Sequence, residues 1–187
     1  LRSEYKQLED YDIESDMNII MQQAQYLSKT IDDFRNFIKN TKEAQKLSLK
    51  DTIEKTLSIL HSAMINNSIT IICDLKEDMN IEGYENELIQ SFINIINNAK
   101  DAIKENVKND EKLIFINTIK EDSSLIITIK DNGGGIPSNV GTGIGLSMSY
   151  KMLVERHNAS IDVYNEEYTY NNKNYKGACF KITFKGK

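Results

Sequence analysis

At 187 residues, with 40% hydrophobic and 27% charged side chains, the chain is long enough for one good-sized core, or one domain with an appendage. Its net charge of -5 argues against nucleic acid as the main partner, because phosphate backbones select a basic face. No apolar run approaches the ~18 residues of a spanning helix, no signal peptide is visible, and two histidines without a CxxC pair cannot assemble a zinc site.

The first forty residues contain neither Gly nor Pro, and apolar side chains recur at Ile13, Met17, Ile20, Ala24, Leu27, Ile31, Phe34 and Ile38. From Met17 the steps alternate between three and four, a heptad seam set among Gln, Asp, Lys and Asn. A helix with such a stripe needs a partner helix. Residues 1–40 therefore read as part of an antiparallel helical hairpin that dimerises, with Leu1, Tyr5 and Leu8 closing the preceding helix. The alternative is one amphipathic helix lying on the domain that follows. Leu1 is not Met, so the chain reads as a piece of something longer.

Asn40-Thr41-Lys42 reads as a linker, and residues 41–187 follow another pattern. Leu47 and Leu49 suggest a short strand, and Ile53, Leu57, Leu60 and Met64 a helix begun by Ser48 or Asp51. Ile69 to Leu75 is β-branched and reads as a strand. Glu85 to Lys104 is a helix with Leu88, Phe92, Ile95, Ile96, Ala99 and Ile103 on its buried side. Leu113 to Ile119 and Leu125 to Lys130 are strands joined by the polar turn Glu121-Asp122-Ser123-Ser124. Ile144 to His157 is a helix. Ile161 to Tyr164 and Ala178 to Phe184 are strands, separated by a polar hairpin loop rich in Tyr and Asn. The result is an α+β layer, three helices on one face of a mostly antiparallel sheet. Cys73 and Cys179, each in an apolar run, read as reduced, buried small hydrophobes.

Three stretches carry chemistry. Asn94, Asn98 and Asp101 follow i, i+4, i+7 spacing and share one helix face. Stacked carboxamides suit a hard cation that also carries phosphate oxygens, while the plain alternative is a solvated face in an Asn-rich protein. Asp131 ends an apolar strand and opens a glycine loop. A carboxylate there accepts from an exocyclic amine, and Gly133 and Gly135 let the backbone approach a flat ring, yet Asp-Asn-Gly is equally a common turn. Gly141-Thr142-Gly143-Ile144-Gly145-Leu146 opens a helix, where backbone N–H groups and the helix dipole favour an anion. It is neither a Rossmann GxGxxG nor a Walker loop.

Asn94 to Ala102, then Asp131-Asn132-Gly133-Gly134-Gly135-Ile136-Pro137, then Gly141 to Leu146 resemble the N, G1 and G2 boxes of sensor histidine kinases, in order and in residue type. Ile31-Asp32-Asp33-Phe34-Arg35-Asn36-Phe37 resembles, less specifically, the second helix of that family's dimerisation hairpin. The resemblance implies a Bergerat-type α/β sandwich, shared with gyrase-, Hsp90- and MutL-like ATPases, that binds ATP and Mg²⁺. It assigns Mg²⁺ to Asn98 with Asn94 nearby, and the adenine amine to Asp131. Gly133, Gly135 and Ile136 then line the base, and Gly141, Thr142, Gly143, Ile144, Gly145 and Leu146 meet the phosphates. Hydrolytic members typically carry Glu at the position of Asn94; an amide cannot take a proton near pH 7, so transfer is expected rather than hydrolysis.

Two departures follow. The phosphoacceptor histidine is missing: His61 and His157 are the only histidines, neither is expected to serve, and the acceptor is expected upstream of Leu1. Only Ser138, Asn139 and Val140 separate the two glycine boxes, where the family has a longer lid with a Phe-containing box. Either the lid has been deleted or a mobile lid belongs between Val140 and Gly141, and the second is favoured. The expected protein is the catalytic ATP-binding region of a histidine kinase. It would be a cytoplasmic homodimer, whether free or the inner part of a membrane-anchored sensor, that passes the phosphoryl group to a response regulator aspartate. Its rivals are a hydrolytic Bergerat ATPase, a serine kinase of the anti-sigma type, and a non-catalytic nucleotide-binding module.

Overall fold

The computed structural model describes residues 43–136 and 144–186, with positions 16, 17, 20, 21, 24 and 28 of the N-terminal segment. The chain divides into two compact units, Leu1–Thr41 and Lys42–Lys187. In the first, the described positions are helical and Met17, Ile20 and Met21 are exposed. The rest of the heptad seam and the hairpin turn lie outside the described residues.

The second unit starts with β1 (Gln45–Ser48) and α1 (Leu49–Asn66). Ser48 is the N-cap: its backbone is extended and its Oγ accepts from Asp51 N–H at 2.9 Å. After α1 come β2 (Ile69–Asp74), β3 (Asn80–Gly83) and α2 (Glu85–Asn106). β3 pairs with β1 in a small two-stranded sheet that the sequence pattern does not announce, since Ile81 is its only apolar residue. On α2 all six residues assigned to the apolar side are buried.

β4 (Lys112–Glu121) and β5 (Ser124–Asp131) form a hairpin whose turn uses Asp122 at φ 51°. α3 (Ile144–Tyr150) continues into a π-helical stretch, Lys151–Arg156, and the chain ends with β6 (Ala159–Tyr170) and β7 (Lys173–Lys185). The main sheet has the order β2-β4-β5-β7-β6, with β2 parallel to β4 and every other neighbour antiparallel. The architecture is therefore α+β, three helices with a mixed five-stranded sheet. Ile114, Ile116, Ile127, Phe180, Ile182 and Phe184 meet Leu88, Phe92, Ile95, Ile96 and Leu153 in one core. Among the described residues no helix is long and apolar enough to cross a membrane.

Two expectations need correcting. Cys73 is exposed, because β2 is an edge strand, while Cys179 is buried in the sheet; both are free thiols. The polar Tyr- and Asn-rich segment is not a loop: β6 and β7 run on as a ladder to Tyr170 and Lys173. Tyr and Thr favour strands, and Asn171 and Asn172, at φ 49° and 61°, supply the two left-handed residues of a tight hairpin turn. β5 stops pairing with β7 at Lys130–Cys179, so residues 165–178 project as an arm. Tyr168 and Tyr170 of this arm pack edge-on against Phe115, with centroids 5.5 and 5.0 Å away, over the sheet face opposite the main core. Lys173 pairs with Asp110, and Tyr175 Oη donates to Glu111 at 2.9 Å, latching the arm to the turn before β4.

Candidate functional site

Asp131 is the last residue of β5 and only 2% exposed. Its Oδ1 accepts two backbone N–H bonds, from Gly133 at 2.8 Å and from Ala178 at 3.2 Å, whereas Oδ2 makes no hydrogen bond with a described residue. Burial pushes the carboxyl pKa above its ordinary value, and the two N–H bonds only partly oppose it. Asn132 does the turn-forming: Oδ1 accepts from Leu113 N–H at 2.9 Å and Nδ2 donates to the Glu111 carbonyl at 2.6 Å. The motif is thus a turn and a strand-end carboxylate at once.

The two glycines that follow are required for contacts within the protein. A Cβ on Gly133 would stand 2.9 Å from the α2 backbone at Ala102 and Ile103, and Asn106 Nδ2 donates to the Gly133 carbonyl at 2.9 Å. Gly135 has φ 93°, and a Cβ there would stand 2.7 Å from Asn165 Oδ1. At both positions the missing Cβ makes room for atoms of the protein itself. Ile136, the next residue, is 37% exposed.

Packing Gly133 on Ala102 brings the glycine loop to the part of α2 that carries the amides. Their face is graded rather than uniformly solvated. Asn94 is buried, and its Nδ2 donates to Ser149 Oγ of α3 at 3.2 Å. Asn98 and Asp101 are exposed; Asp101 pairs with Lys100 at 3.3 Å, and Asn98 makes no hydrogen bond with a described side chain. Asn94 belongs to a polar seam between α2 and α3 that includes Arg156–Glu87 at 2.6 Å and Ser91 Oγ–Met152 Sδ at 3.4 Å. These partners step backwards along the second helix, so the two helices run antiparallel. Burial raises the Glu87 pKa although Arg156 pulls it down. Gly141, Thr142 and Gly143 lie outside the described residues; Ile144, Gly145 and Leu146 open α3.

His157 closes the far end of that seam. Its Nδ1 donates to the Met152 carbonyl at 2.7 Å and its Nε2 accepts from Tyr84 N–H at 3.0 Å, so the ring is the neutral tautomer protonated on Nδ1. Asn158, at φ 51°, takes the left-handed position just after the helix. Both ring nitrogens are occupied, which leaves no lone pair for phosphorylation. Burial, aided by the Arg156 charge, lowers the His157 pKa below 6.5. An unfolded chain takes up this proton near 6.5 and the folded one only at lower pH, so this contribution is intact above 6.5 and shrinks as pH falls. Denaturant unfolding of wild type and His157→Gln should show a smaller stability gap near about pH 5 than near about pH 7.5. An identical gap at both values would rule the contribution out.

Sequence reasoning missed Ser149, Asn165, the Glu87–Arg156 pair, Tyr168, whose Oη donates to the Asp131 carbonyl at 2.9 Å, and Gly177, which packs against that carbonyl. Only Gly177 carried a readable signal, since a lone Gly inside a strand pattern marks close backbone approach.

Residues 83–187 match the family described as histidine kinase-, DNA gyrase B- and HSP90-like ATPases. The chain is similar to sporulation kinase A of Bacillus subtilis, 30% identical over 153 residues, covering 74% of this chain and 23% of that protein. It is similar to the signal transduction histidine-protein kinase AtoS of Escherichia coli, 26% identical over 164 residues, covering 79% of this chain and 26% of that protein. A crystal structure of the histidine kinase ThkA in complex with the response regulator protein TrrA superposes with a TM-score of 0.65 at 18% identity, covering 91% of this chain and 50% of that one, a likeness of fold. The chain spans between 18% and 32% of the length of the curated relatives it matches.

Proposed function

The chain belongs to the family of histidine kinase-, DNA gyrase B- and HSP90-like ATPases and carries the Bergerat sandwich of the sensor histidine kinase ATP-binding domain; from this premise we propose that it binds Mg-ATP and presents the γ-phosphoryl group to a histidine outside this chain, for relay to a response regulator aspartate. The relatives' names support the kinase reading, and the ThkA–TrrA complex supports the regulator as partner.

The observation that carries the proposal is the α2–α3 seam. Its partners, Glu87–Arg156, Ser91–Met152 and Asn94–Ser149, follow one antiparallel register, whose next step would bring exposed Asn98 toward Gly145 in the first turn of α3. A free carboxamide oxygen would thus face the helix start proposed to hold phosphates. One neutral protein oxygen fits Mg²⁺, which keeps waters and substrate phosphates as its other ligands; when bound it would neutralise charge on the β- and γ-phosphates. No cluster of three His, Cys, Asp or Glu side chains able to hold a metal occurs among the described residues.

Asp131 Oδ2 would accept from the adenine amine, with Gly133, Gly135 and Ile136 beside the base. Gly141, Thr142, Gly143, Ile144, Gly145 and Leu146 would meet the phosphates, and Asp101 would flank the metal ligand. Asn94, held by Ser149, has no basic lone pair, and the nearest acid toward the start of α2 on the seam, Glu87, is buried against Arg156. The site would therefore position ATP for an external nucleophile rather than activate water. Residues 1–40 would supply part of the dimerisation hairpin on the cytoplasmic side; seam residues Met17 and Ile20, 60% and 66% exposed in the single chain, support a second copy as their cover.

Asn98→Ala tests this reading. ATP titrated with and without Mg²⁺ should show that the variant loses the metal-dependent tightening, on the order of tenfold to a hundredfold, and keeps the metal-free affinity. Retained tightening would refute the metal assignment, and steady ATP hydrolysis by the chain alone would favour the ATPase rival.

A further inference from the structure

We propose that Asn165 is a positioning residue for the base-binding loop, its carboxamide standing in for a neighbouring strand. The inference rests on the nucleotide reading above. Asn165 Oδ1 accepts from Ile136 N–H at 2.7 Å, and its Nδ2 donates to the Ile136 carbonyl at 3.1 Å. One side chain thereby satisfies both backbone groups of a single residue, as an opposed residue does in a hydrogen-bonded antiparallel pair. Only an amide carries a donor and an acceptor in that arrangement.

The placement of Asn165 in the arm explains why this matters for the site. It pairs across β6–β7 with Ala178, whose N–H binds Asp131 Oδ1. One rung of the arm therefore grips the loop at two points, Asp131 through Ala178 and Ile136 through Asn165. Between them Gly134 N–H donates to the Lys176 carbonyl at 3.0 Å. Gly135 is the residue that lets the amide in, since its Cβ would collide with Asn165 Oδ1. Both polar groups of Asn165 are spent on Ile136, so the residue sets the loop's shape and does not itself read the base. Exposed on the arm, it lies outside the core, and its replacement leaves the fold's stability nearly unchanged.

The test compares wild type and Asn165→Ala by calorimetric titration with ATP and with adenosine, alongside amide hydrogen exchange and thermal unfolding. The expected result is a loss of about tenfold for both ligands, an unchanged response to Mg²⁺, faster exchange at Ile136, and a Tm within about 2 °C of wild type. A purely structural residue would instead move Tm, and a phosphate-binding residue would spare adenosine. Wild type binding ATP with Asn165→Ala within about twofold of it, or a loss confined to ATP, would overturn the proposal. Wild type failing to bind ATP at about millimolar concentration would overturn the nucleotide reading itself, and this proposal with it.

Discussion

Asp131→Asn is expected to be more stable than wild type near neutral pH and about a hundredfold weaker for ATP. The two effects share one cause. Asp131 is 2% exposed, and burial raises its pKa above 3.8. At low pH the folded and unfolded chains are both protonated and the site carries no penalty. As pH rises from 3.8, the unfolded chain ionises first, while the folded one must ionise inside the protein, so stability falls through the raised pKa and the cost persists at neutral pH. Asparagine keeps an Oδ1 for the N–H groups of Gly133 and Ala178 and removes the charge. It also converts the open Oδ2 into a donor, which would oppose the adenine amine proposed to bind there. Melting curves across the acid-to-neutral range should show the Asp131→Asn variant without the downward slope, and titration with ATP and GTP should show discrimination collapsing. Unchanged ATP affinity would refute the adenine assignment, whatever the melting curves show.

Strong periodicity carried the fold: α2 and the β4–β5 hairpin are local patterns of apolar residues, readable without knowing what covers them. Order and residue type carried the candidate site, because Asn94, Asn98 and Asp131 each sit in a motif. What escaped was set by long-range placement. β3 has a single apolar residue and exists because β1 offers it an edge. The arm looked like a loop because its alternating residues face solvent on one side and Phe115 on the other. Asn94 shares its helix face with Asn98 and Asp101, and only Ser149, from an element far along the chain, sets it apart by covering it. Asn165 and Gly177 lie in a segment whose local sequence is only a polar hairpin; their roles come from the glycine loop that lands on them.

Gly177→Ala is expected to be the most damaging single-methyl change in the described part of the chain, costing about 3–5 kcal/mol and roughly 10 °C in Tm. A Cβ there would stand 1.6 Å from the Asp131 carbonyl oxygen, 2.4 Å from its carbon and 2.9 Å from Oδ1. The two closest atoms are backbone, so the strands themselves must separate. Separation would break Ala178 N–H to Asp131 Oδ1 and Gly134 N–H to the Lys176 carbonyl, and the bond from Tyr168 Oη to the Asp131 carbonyl at 2.9 Å would go with them. The glycine loop would lose its supports on the arm, so ATP binding should fail together with stability. Gly134→Ala is the informative comparison. Its φ of 87° strains any side chain, but no atom lies within 4 Å of the new methyl, so the expected cost is the backbone term alone, about 1–2 kcal/mol. Thermal unfolding of the two variants separates collision from strain: equal losses would mean that β7 can shift away from Asp131, and that the arm does not fix the loop.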